Sequence, residues 1–195
     1  MDSVNVFIQN NIRKNRGIFM KKLRKMLGKY DDEHILELMK LIETQSKETI
    51  ANWCMDYAEK NILPIYKKYY PDDNRPQIAL DASRDWFKGF KKLPEVKDII
   101  LNQCHRAARE AEDNPAAQAA ARTLGQAAAC FHTPTHSLGL AFYGGAAVAY
   151  DKLGLEATEE QYQKVAREEV LKMTEALKKV AVNDEPNKAK LKWYC

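Results

Sequence analysis

Residues 114–153 read NPAAQAAARTLGQAAACFHTPTHSLGLAFYGGAAVAYDKL, and this stretch decides the fold. Asn114 is a capping residue, and Pro115 sits where a missing N–H costs a helix nothing. From there Ala117, Ala120, Ala121, Leu124, Ala127, Ala128 and Phe131 recur at helical spacing. A second helix is expected from about His136, carrying Leu138, Ala141, Phe142, Gly145, Val148, Ala149 and Leu153. Neither helix has a polar face, and a helix that is apolar all round is normally buried. The fold class expected is therefore all-α: one domain, a multi-helix bundle of about eight helices around this Ala/Gly-rich hairpin. The loop between the two helices, His132-Thr133-Pro134-Thr135-His136, carries more reactive side chains than any other segment.

Outward from the hairpin, the rest of the chain reads as amphipathic helices with recognisable ends. Towards the N-terminus, Val4, Ile8 and Ile12 share one helical face. Phe19, Leu23, Met26, Leu27 and Tyr30 make a second stripe flanked by lysines and Arg24. Residues 1–45 are thus expected to be basic amphipathic helices packed on the body, with a third opened by Asp31-Asp32. The body is expected over 46–182. Thr44 or Ser46 caps a helix through Trp53, Cys54, Tyr57 and Ile62, and Pro64 should kink or end it. Asn74-Arg75-Pro76 opens the next helix, and Pro94 another. Thr158-Glu159-Glu160-Gln161 has the spacing of a capping box and opens a long helix through Leu177 and Val180. Residues 183–195 form a tail whose Trp193-Tyr194 pair is expected to dock, since exposing it forgoes apolar burial. No alternating strand pattern or repeat competes with the helices.

Charge is unevenly placed. Residues 1–30 hold eight Lys/Arg against Asp2, a balance of +7, while residues 31–195 stand at −3. A nucleic-acid or membrane-surface role would rest on that first segment alone, and the mildly acidic body argues against nucleic acid as a partner. No apolar run approaches the roughly twenty residues of a membrane span. The first residues lack the apolar core of a secretory signal, so a cytoplasmic location is expected. Cys54, Cys104, Cys130 and Cys195 show no CxxC spacing and read as buried thiols rather than a disulfide framework.

Few residues suggest chemistry. A metal site needs ligands converging at about 2.0–2.3 Å, and Cys130, His132 and His136 are the one cluster of suitable types. Pro134 between the histidines argues against a shared helical face. The bland reading is that the imidazoles satisfy carbonyls or cap a helix at the junction. A Cys130 thiolate nucleophile is disfavoured by its alanine-packed surroundings. Cys104-His105 could approach this region if its helix packs on the hairpin. Asp31-Asp32, Asp72-Asp73 and Glu159-Glu160 fall at turns or first helical turns, where the helix dipole accounts for them. Gly144-Gly145 lies within an apolar helix and suits close packing. Arg75, Arg84, Asp85 and Trp86 read as local ion pairing beside an aromatic. No catalytic residue and no cofactor is expected.

The order of motifs carries a resemblance. Trp53-Cys54, Asp56-Tyr57-Ala58-Glu59 and Leu63-Pro64 come first, then YPDDNRPQIALDASRDW (70–86) and AAREA (107–111). AAARTLGQAAACFHTPTHSLG (119–139) and Tyr143 follow. The set resembles the immunity proteins of bacterial polymorphic-toxin systems, the group similar to the fifth immunity-protein family, over about residues 50–155. The resemblance implies a helical, non-enzymatic protein that binds a cognate toxin and occludes it, with 46–182 as the immunity-like domain. Arg75, Trp86, His132, His136 and Tyr143 match recurring family positions and are the candidate functional or structural residues. No toxin-contact residue carries over. The rival readings are a helical metal-binding protein or enzyme centred on Cys130, His132 and His136, and a nucleic-acid- or membrane-associated module acting through residues 1–30. A terminal Trp-Tyr pair also leaves a homodimer open.

Overall fold

The computed structural model describes residues 23–193. All regular structure in the described chain is helical, with no strand. Its segments are α1 (Glu33–Glu43), α2 (Lys47–Asn61), α3 (Leu63–Tyr69), α4 (Arg75–Phe87) and α5 (Leu93–Ile99). A π turn (Ile100–Cys104) leads into α6 (His105–Glu110), then α7 (Pro115–Ala129). A 3₁₀ turn (Pro134–His136) precedes α8 (Ser137–Leu153), and α9 (Glu159–Val180) completes the set. With α2–α3 and α5–α6 counted as interrupted rods, the described residues amount to seven helices, against about eight expected for the whole chain.

Local chemistry explains where the rods begin and break. The Asn114 side chain accepts from the Ala117 N–H at 3.0 Å, Ser46 accepts from Thr49, and Thr158 with Gln161 closes a complete capping box. Pro64, in the first turn of α3, has no N–H to donate to the α2 hydrogen-bond ladder, and the rod divides at Ile62. Gly154 ends α8 at φ +68°, a conformation that costs glycine little.

Helices α7 and α8 make the most extensive pair contact, and α7 also touches α2, α3, α4 and α6. No side chain from Asn114 to Tyr150 is exposed. Ala117, Ala120, Ala121, Leu124, Ala127 and Ala128 are fully covered, as are Leu140, Ala146, Ala147 and Ala149. The glycines let the rods close up. A Cβ on Gly145 would stand 3.0 Å from Ala166 Cβ and 3.3 Å from Ala166 Cα, so α9 lies almost directly on the α8 backbone. Large side chains then come from the surroundings: Trp53 donates to the Met173 carbonyl at 3.1 Å, and the Tyr57 hydroxyl to Glu169 at 2.7 Å.

One expectation fails on the described residues. The stripe Leu23, Met26, Leu27, Tyr30 predicts a helix, but residues 23–30 run as an irregular strap. Gly28 takes φ +88°. The Leu27 N–H donates to the Phe142 carbonyl at 3.2 Å, the Gly28 N–H donates to Gln163 at 2.8 Å, and Tyr150 bonds the Arg24 carbonyl. These bonds to α8 and α9 replace a helix's own, and Leu27 is buried without one. The helix expected over 4–14 lies outside the described residues, as do Tyr194 and Cys195. The tail returns to the body: buried Gln45 bonds Val182 through both halves of its amide, and Trp193 donates to Glu43 at 2.6 Å. No described helix is long and apolar enough to cross a membrane.

Candidate functional site

The α7–α8 hairpin reaches solvent along one stripe. On α7 the half-buried residues after the cap are Pro115, Gln118, Arg122 and Gln126, and the last three fall at four-residue spacing. That spacing puts them on one face. Opposite them, His136, Gly139 and Tyr143 line up on the 3₁₀ turn and α8, and His105 of α6 borders the stripe. The π turn before α6 shifts the helical register where His105 enters.

Two glycines seat the polar groups. A Cβ on Gly125 would fall 2.6 Å from His105 Cε1, so the imidazole rests on bare backbone. A Cβ on Gly139 would fall 2.5 Å from Gln126 Cγ. Gln126 is thereby held where its amide oxygen meets His136 Nδ1 at 2.6 Å. With the oxygen toward the ring, Nδ1–H donates. The Arg122 guanidinium lies over the Tyr143 ring, 5.9 Å from its centroid. At the loop end the rings form a chain. Trp86 packs on Phe131 at 4.9 Å, Phe131 on His132 at 4.8 Å, and His132 on His136 at 5.9 Å between centroids.

The electrostatics are simple. Burial, with Lys97 and His136 adding to it, pushes His132 down to about 4. Burial lowers His136. It lowers His105 too, reinforced by Arg122, His136 and Arg109. Near neutral pH the three imidazoles are uncharged, which leaves Arg122 as the permanent cation of the stripe. Its Nε is buried and has no hydrogen-bond partner, and among the described residues no carboxylate pairs with it. The contrast is with Arg84, held by Asp56 and Glu59, and with Arg75, held by Asp73 and Glu110 at 2.7 Å each.

Of the residues singled out from sequence, Trp86, His132, His136 and Tyr143 border this one region. Arg75 does not. It opens α4, eleven residues before Trp86 and about 16 Å away along the helix axis, and its bonds tie the α3–α4 turn to α6. Buried Asp73 would titrate high, but hydrogen bonds from Arg75 and Tyr66 more than offset this and bring it to about 2. The metal reading of Cys130, His132 and His136 does not match the geometry. The Cys130 thiol is turned into the core beside Cys54 and toward the Gln126 carbonyl, and the two Nδ1 atoms are engaged by Thr133 and Gln126. Among the described residues no three His, Cys, Asp or Glu side chains converge on a metal position. Burial likewise raises the Cys54 thiol, and pushes Cys104 up to about 12, the opposite of a reactive thiolate.

Residues 40–176, from the end of α1 almost to the end of α9, match the family model described as Imm-5 like putative immunity protein. The chain belongs to this immunity-protein family. The matched span contains the whole polar stripe, while the basic segment 1–30 lies outside it. No curated protein and no solved structure matches the chain. Sequence reasoning missed Arg122 and Gln126 as members of this polar stripe, although both stand inside the quoted motif. The signal available was glycine at 125 and 139, where alanine is the better helix former and only a close neighbour explains its absence.

Proposed function

We propose that this member of the immunity-protein family binds a cognate toxin of a polymorphic-toxin system in the bacterial cytoplasm and neutralises it by covering its active site or substrate path. It does so without catalysis. The supporting observation is the family match together with a well-packed helical body, whose largely buried α7–α8 hairpin offers one polar stripe to a partner. The division of labour follows: residues 46–182 are the toxin-binding body, 183–195 a docked tail, and 1–45 an accessory segment. Occlusion suits such an architecture, because a partner surface held by packed helices loses little freedom on binding. The test is co-expression with the toxin encoded beside the gene. Cells carrying both should grow and the two proteins should co-purify. Growth arrest despite a folded, abundant immunity protein would contradict the proposal.

A further inference from the structure

We propose that the stripe between α6, α7 and α8 is the toxin-binding subsite, and that Arg122 is its anchor, receiving one carboxylate side chain of the toxin. The inference rests on the immunity reading above and adds to it a position and a chemistry.

The geometry carries it. A buried donor without a partner costs a fold about 1–3 kcal/mol, more when the group is charged. Arg122 bears that cost, with its Nε covered and its charge matched by no described carboxylate. Nothing else in the hairpin needs a cation there, since no described carboxylate pairs with it and its recorded neighbours are His105 and the Tyr143 ring. With Nε covered and one face of the guanidinium on Tyr143, a ligand meets the remaining Nη edge. That edge fits the two oxygens of a carboxylate side by side.

The surroundings select the ligand. The groups that meet along the stripe are bases or neutral rings: Arg122 lies over Tyr143, His105 feels Arg122, His136 and Arg109, and His132 feels His136 and Lys97. With the imidazoles uncharged, Arg122 is the fixed charge within the stripe itself, Arg109 and Lys97 standing at its edges, and one guanidinium edge matches one carboxylate rather than a run of phosphates. A body of net charge −3 over residues 31–195 points away from nucleic acid as well. Trp86, Tyr143 and the histidines supply the rigid aromatic rim that surrounds an arginine hot spot in protein interfaces.

The experiment measures binding of the full chain to the toxin domain encoded beside it. Parent, Arg122→Met and Arg122→Lys are compared, with melting temperatures recorded alongside. Arg122→Met keeps the apolar stem and should melt within about 3 °C of the parent. It should bind at least about 30-fold more weakly, as expected when one partner of a desolvated charge pair is removed. Arg122→Lys should recover only part of the loss. A scan of toxin Asp→Asn and Glu→Gln changes should find one carboxylate whose removal has no further effect once Arg122 is methionine. Full-strength binding by Arg122→Met, or no single coupled carboxylate, overturns the subsite while leaving the immunity reading intact. Failure of the parent chain to bind overturns both. If Arg122→Met does not fold, Arg122→Lys with the same scan decides, because it keeps the charge and loses the fork. A fluorescent single-stranded RNA is the control probe. RNA binding that depends on Arg122 would assign the stripe to phosphate and refute the proposal.

Discussion

His132 illustrates how a single side chain records its surroundings. Its ring is wedged between Phe131 and His136 and hydrogen-bonded to Thr133. Burial, helped by Lys97 and His136, takes its pKa from the usual 6.5 to about 4. A histidine depressed in the folded state binds fewer protons there than in the unfolded chain across that interval. Its contribution to stability is therefore complete above about pH 6.5 and lost as pH falls toward 4. His105 and His136, also lowered by burial, act in the same direction. Denaturant melts at pH 7, 6, 5 and 4 should show the midpoint falling, and His132→Gln should make the fall shallower. An identical pH profile for parent and variant would mean that the ring is solvated.

At the scale of elements, the glycines of α8 separate two kinds of closeness. A Cβ on Gly144 meets Met173 Cε at 2.9 Å, the free end of a flexible side chain. A Cβ on Gly145 meets Ala166 Cβ, Cα and O at 3.0–3.4 Å, and none of these moves unless α9 moves. Overpacking costs about 1–3 kcal/mol, against a helix-propensity gain of about 1 kcal/mol on replacing glycine. Gly145→Ala should therefore destabilise by up to about 2 kcal/mol and lower the melting temperature by up to several degrees. Gly144→Ala should be close to neutral. Equal melting of the two variants would show that α8 and α9 pack less closely than described. The same logic links the 3₁₀ turn to α7, where Gly139 makes room for the Gln126 side chain that holds His136.

Across the whole molecule, what could be read from sequence was what is local. Asn114-Pro115, the Thr158–Gln161 capping box and the break at Pro64 are short-range chemistry, and each stands where its residues indicate. Residues 23–30 show the limit. Their apolar spacing is that of a helix, but hydrogen bonds to Phe142 and Gln163, more than a hundred residues away, hold them as a strap. The polar stripe escaped for a related reason. Its members come from α6, α7 and α8 and from a π turn that no periodicity announces, and the solitude of Arg122 is a fact about which carboxylates fail to arrive. Arg75 and Trp86 could be picked out of one motif, yet a single straight helix carries them to different places. The function proposed for this immunity-family member is to cover a toxin, one copy to one copy. The most direct measurement titrates the purified neighbouring toxin domain with the purified chain and follows the toxin's activity. The account predicts a linear fall to zero at one equivalent, unchanged by longer incubation. Inactivation by much less than one equivalent, growing with time, or activity left untouched by excess protein, would contradict it.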